Sequence, residues 1–132
     1  MNINTLTIKA QELLQGAMTL ARNHGQQALD PLHILAAATT EEDGLGSYIL
    51  NRAGANLSSL RRATTEAIEH LPRVAGGGDV FFSREASAVV QCATDLTRTF
   101  SDRYASVEHI VAALAKEMVD ITHECGKEAM MF

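Results

Sequence analysis

Displaced by 76 positions the chain matches itself: Thr7–Thr40 aligns with Ser83–Lys116, and nine of the 34 aligned pairs are identical. Alanine-rich segments of this length share about two or three identities by chance, so the match marks an internal duplication. The identical pairs are Ala10/Ala86, Gln15/Gln91, Ala17/Ala93, Leu20/Leu96, Arg22/Arg98, His33/His109, Ile34/Ile110, Ala36/Ala112 and Ala37/Ala113. Thr7 and Ser83 are also equivalent, each a hydroxyl residue at the start of a helical pattern. A duplicated unit has few ways to fold. Each copy must bury its apolar face, and the face most ready to receive it is that of its twin, about a pseudo-twofold axis.

Within the unit the apolar period is helical. Ala10, Leu13, Leu14, Ala17, Leu20 and Ala21 recur at spacings of three and four, which predicts a helix over 7–23. Thr7 is placed to cap its first turn, and Gly25 to stop it in a left-handed conformation. Asp30-Pro31 is a cap followed by a first-turn proline, predicting a second helix over 31–39. A third is predicted over Gly46–Ala53, closed by Gly54, with Tyr48 and Ile49 turned to the core. The fourth starts after Asn56, carries Leu57, Leu60, Ala67, Ile68 and Leu71 inward, and ends at Pro72.

The segment 72–82, PRVAGGGDVFF, breaks this period with three consecutive glycines and reads as a loop. It separates repeat one, 7–71, from repeat two, 83–116. The expected fold is all-α: a single domain, 1–132, of two pseudo-twofold-related repeats of short helices. The second repeat is expected to be incomplete, because only 16 residues follow Lys116. In the divergent tail, 117–132, Met118, Val119, Ile121, Met130, Met131 and Phe132 are expected to cover the face that the third and fourth helices cover in repeat one.

Several function classes are disfavoured by what the sequence lacks. No run approaches the roughly 20 apolar residues of a membrane span, and MNINTLTIKAQ has no signal-peptide pattern, so a soluble, cytoplasmic protein is expected. The formal charge is −5 and the 11 Lys and Arg residues are scattered, which argues against nucleic acid as a partner. Cys92 and Cys125 have no C-x-x-C spacing and read as reduced thiols. No G-x-x-x-x-G-K-[ST] phosphate loop is present, and the glycines of 76–78 are followed by no lysine. His123-x-Cys125 lacks the further ligands of a zinc site. No nucleophile motif stands out either, so no enzyme, cofactor or metal is expected.

His33 and His109 hold equivalent first-turn positions and are expected as partly buried imidazoles bonded to backbone across the twofold interface. Val89, Val90, Leu96, Val107, Ile110, Val111 and Leu114 are expected to build the core of the second half. Of these, Val90 and Ile110 are expected to border a surface groove that binds substrate.

The stretches LTIKAQELLQGAMTLARNHGQQALDPLHILAAA, LNRAGANLSSLRR, AIEHLPRVAGGGDVFFS and SVEHIVAAL resemble the N-terminal domain of Clp-type AAA+ chaperones, closest to the ClpB disaggregase branch. The resemblance runs over 3–116, and the tail departs from it. It implies a domain without catalysis that recognises unfolded or aggregated polypeptide for AAA+ ATPase modules in cis. A free-standing adaptor or regulator, docking on a Clp ATPase or protease in trans, is the alternative. The family's substrate-handling positions fall on Thr7, Asp102 and Glu108. An acidic pair beside an apolar groove attracts basic, hydrophobic segments by charge and by area burial together. Helix-dipole complementarity also places an acid at Glu108, and Thr7 caps a helix whatever else it does.

Overall fold

Polar caps and glycines set where each helix begins and ends. In the structure, a computed structural model that describes residues 5–40, 44–74, 78–99 and 103–117, helix α1 spans Ile8–Asn23 behind Thr7, whose Oγ1 accepts from the Ala10 N–H at 3.1 Å. Gly25 follows its end at φ 67°, the left-handed region that a residue with a Cβ seldom enters. Helix α2, Pro31–Ala38, starts at Asp30, whose carboxylate accepts from the Leu32 N–H at 2.9 Å. Helices α3, Leu45–Arg52, and α4, Leu57–Glu69, meet at Gly54, φ 94°, and Asn56 caps the second of them. Helix α5, Arg84–Thr99, repeats the opening of α1: Ser83 Oγ accepts from the Ala86 N–H at 3.0 Å. Helix α6 covers 107–117. Residues 118–132, with the six apolar side chains expected to close the second repeat, lie outside the described residues.

The two copies share one core. Ala10, Leu14 and Ala17 of α1 and Ile34 of α2 meet Ala86, Val89, Val90 and Ala93 of α5 and Ile110 and Leu114 of α6. Alanines at equivalent places on α1 and α5 are fully buried, which brings these helices close to their neighbours. Each large aliphatic side chain buried here contributes roughly 1.5–3 kcal/mol. Tyr48 is a correction to the expected core: it is 61 % exposed. Helix α3 turns Gly46 and Ser47 inward instead, leaving the next position on the solvent side.

Between the helices run two short extended contacts that the helical period does not announce. Ala28–Leu29 (β1) pairs in parallel with Phe81–Phe82 (β2), in register Ala28 to Phe81 and Leu29 to Phe82. Leu6 forms a parallel bridge with Ala105. The 76-residue shift carries Leu29 onto Ala105 and Leu6 onto Phe82, so each contact is the image of the other. Their hydrogen bonds correspond too: Ser83 N–H donates to Leu29 O at 3.0 Å, and Thr7 N–H to Ala105 O at 2.8 Å. The end of the loop 72–82 is thus a strand and the start of the second copy's framework. No helix among the described residues is long and apolar enough to cross a membrane.

Candidate functional site

The Leu6–Ala105 bridge draws the start of α1 against the start of α6. Thr7 N–H donates to Ala105 O at 2.8 Å, and Ala105 N–H donates back to Thr5 O at 2.8 Å. Thr7 is therefore held beside the segment that leads into Glu108, and its Oγ1 serves as the α1 cap. Glu108 is the second residue of α6 and is exposed. It lies in the first turn of α6, where an acidic side chain complements the helix dipole. Two large apolar side chains flank this corner in the open: Ile8 is 74 % exposed and Tyr104 is 45 % exposed. The Arg103 guanidinium lies over the Tyr104 ring, 5.5 Å from its centroid. Asp102 lies outside the described residues.

From this corner a cleft of about 710 Å³ runs along the outer side of α1. Its lining includes Lys9, two residues after Thr7, and Val107, the residue before Glu108, and passes Leu13, Gly16 and Leu20. Its far wall is Ala37 and Ala38 at the end of α2 with Leu45 at the start of α3. Leu45 is 44 % exposed, and Leu13 and Leu20 are half-buried. Lys9 and Glu12, 4.0 Å apart and both exposed, offset each other at the rim. The cleft thus mixes the apolar side chains of Leu13, Leu20, Ala37, Ala38 and Leu45 with Thr19, Asn23 and Thr40, and its volume falls in the range of roughly 300–1,000 Å³ typical of ligand sites.

Val90 and Ile110 do not border this cleft. They are 3 % and 0 % exposed and belong to the shared core, because the interface between the copies takes the very faces of α5 and α6 on which they lie. The histidine expectation changes as well. His33 and His109 each accept a backbone N–H through Nδ1, from Asp30 and Ser106, both at 2.9 Å. These bonds close each residue's own helix cap and do not cross the twofold interface.

Ile8, Leu13, Leu20, Leu45 and Tyr104 are the site residues that sequence reasoning missed. Leu13 and Leu20 belong to the α1 apolar stripe, and only their place at its edge, next to a glycine, hints that they stay half-exposed. Ile8 and Tyr104 carry a clearer signal: each adjoins a residue of the Thr7 and Glu108 corner.

A family model described as "Clp repeat (R) N-terminal domain" matches residues 5–127. The chain is 43 % identical over 114 residues to "Chaperone protein ClpB" of Porphyromonas gingivalis strain W83, an alignment covering 86 % of this chain and 13 % of that protein. To the protein of the same description from Bacteroides thetaiotaomicron it is 38 % identical over 114 residues, with the same coverage of 86 % and 13 %. The chain thus spans about one eighth of the length of these relatives. Among solved structures, the Hsp104 N-terminal domain from Candida albicans superposes with a TM-score of 0.77 at 25 % identity, covering 92 % of this chain and 81 % of that one. The N-terminal domain of the ClpV1 ATPase from E. coli shares the fold, with a TM-score of 0.76 at 15 % identity over 86 % of this chain and 69 % of that one.

Proposed function

Because the chain belongs to the Clp N-terminal domain family, with ClpB chaperones as its relatives, we propose that it recognises polypeptides, binding unfolded or aggregated segments along the α1 cleft for AAA+ ATPase modules in cis or in trans. The observation that carries this reading is one juxtaposition. Glu108, an exposed acid in the first turn of α6, follows Val107, which lines a cleft of about 710 Å³ whose walls include Leu13, Leu20 and Leu45. Apolar walls reward the burial of aliphatic and aromatic side chains in any sequence order, and the carboxylate favours lysine or arginine nearby. Thr7 fixes the corner through its cap and backbone bond, and the sequence offers Asp102 as the second acid. Val90 and Ile110 contribute from beneath, as core. The domain hydrolyses nothing itself; its work is capture. Affinity is expected to be weak, since a surface serving many segments is shaped for none.

Titrating the chain with an unfolded basic, hydrophobic polypeptide while following backbone amide chemical shifts tests the reading. Shifts are expected at Thr7, Ile8, Leu13, Leu45 and Glu108, and the double reversal Asp102→Lys, Glu108→Lys is expected to weaken binding by about tenfold with helicity unchanged. Shifts confined to surfaces away from α1 and α6, or equal binding by the reversed variant, would overturn it.

A further inference from the structure

We infer that Gly16 forms a notch in the floor of the α1 cleft that receives one large apolar side chain of the bound polypeptide. The inference rests on the polypeptide-binding function proposed above and adds the residue that sets what fits. Gly16 sits in the middle of the 16-residue helix α1 and is exposed. Glycine there weakens the helix relative to alanine, so something must favour it. Backbone conformation does not: Gly16 is helical, and among the described residues the glycines with positive φ are Gly25 and Gly54, at 67° and 94°. Packing does not either, because a Cβ built at Gly16 meets only the Ala37 Cβ at 3.9 Å, an ordinary contact. Gly46 makes the contrast, since a Cβ there would run into the Ala38 carbonyl oxygen.

What the absent side chain does leave is space within the cleft. Leu13 and Leu20 stand on either side of Gly16 along the helix, Ala37 faces it, and Ala38 and Leu45 line the same cleft. Leu13 and Leu20 are separated by about 10 Å of helix rise, room for one side chain between them and not two. The image of Gly16 in the second copy is Cys92, which is half-buried, so the notch is confined to the first copy. The occupant is fixed by the surroundings: an apolar side chain of leucine, methionine or phenylalanine size in an unfolded segment. Lysine or arginine flanks complement the chain's formal charge of −5, to which the exposed Glu108 beside Val107 contributes, whereas Lys9 and Glu12 on the lining offset each other.

The test compares the parent with Gly16→Ala and Gly16→Leu. Binding is read by fluorescence anisotropy of two lysine-flanked peptides, one with a central leucine and a twin with alanine in its place. Gly16→Ala is expected to raise Tm by about 2–4 °C and to weaken the leucine peptide about fivefold, as occlusion of the notch by one methyl group demands. Gly16→Leu is expected to weaken it by more than tenfold. The alanine peptide should bind the parent and both variants equally weakly. If the parent binds the leucine peptide and both variants match it, or if the alanine peptide loses affinity in parallel, Gly16 is no notch, although the cleft stands as the binding site. A fall in Tm for Gly16→Ala would give the glycine a packing role and overturn the inference. If the parent binds neither peptide, the polypeptide-binding function fails first.

Discussion

At His33 the neighbours fix both tautomer and charge. The Asp30 N–H donates to Nδ1 at 2.9 Å, so the ring proton sits on Nε2 and donates to Gln26 Oε1 at 2.6 Å. Gln26 in turn donates through Nε2 to Ile68 O at 2.6 Å, which ties the start of α2 to the end of α4. A second ring proton would face the Asp30 N–H and break the cap. Burial holds the imidazole pKa below its usual 6.5; the nearby Asp30 carboxylate opposes this, and His24 adds to it. The unfolded chain therefore binds this proton at higher pH than the folded one. The stabilisation is complete above the ordinary histidine range and is lost as pH falls through and below 6.5. Urea unfolding of the parent and of His33→Gln is expected to show a wide stability gap at about pH 7.5 that narrows at about pH 5; a constant gap would mean that His33 does not titrate with unfolding. The sequence made His33 legible, through its twin His109 and its first-turn position. It did not reveal Gln26, 2 % exposed, because its hydrogen-bond partner lies 42 residues away.

Elements were legible in proportion to how many turns of period they contain. Helices α1, α2 and α4 end within a residue or two of where caps, proline and glycine put them, since each signal is local. β1 and β2 have two residues each, too few for alternation to show, and pairing across more than fifty residues of chain leaves no local trace. Helix α3 was placed correctly and faced wrongly: its apolar residues suggested a buried Tyr48, whereas small residues pack it against α2. That packing makes a test. The Gly46 Cα abuts the Ala38 carbonyl so closely that any Cβ must displace backbone. Gly46→Ala is therefore expected to destabilise the protein by about 1–3 kcal/mol, as overpacking does, despite its higher helix propensity. Thermal unfolding of the Gly46→Ala and Gly16→Ala variants should move in opposite directions. If Gly46→Ala is stabilising, α3 does not pack on α2 as described.

For the whole molecule, the 76-residue repeat foretold a shared core and a twofold relation, and the structure adds that the copies are interlocked. Leu6 pairs with Ala105 and Leu29 with Phe82, so among the described residues each extended contact joins the two halves of the chain. The cleft could not be foreseen from the repeat, because it depends on where α1 departs from symmetry, at Gly16 and beside α3. Interlocking has a consequence for autonomy. A chain ending at residue 74 keeps α1 to α4 but loses Ala86, Val89, Val90, Ala93, Ile110 and Leu114 from the core and both strand partners. Four of these are large aliphatics, each contributing roughly 1.5–3 kcal/mol when buried. Their loss is comparable with the whole stability of a domain, about 5–15 kcal/mol. The 1–74 fragment is accordingly expected to show helical circular dichroism without a cooperative thermal transition. Adding the 78–132 fragment should restore that transition, because cutting the loop removes only the modest entropic advantage of a covalent link. A cooperative melt of the 1–74 fragment alone would show instead that the first copy can cover its own apolar face, and that the duplication joined two units already able to fold.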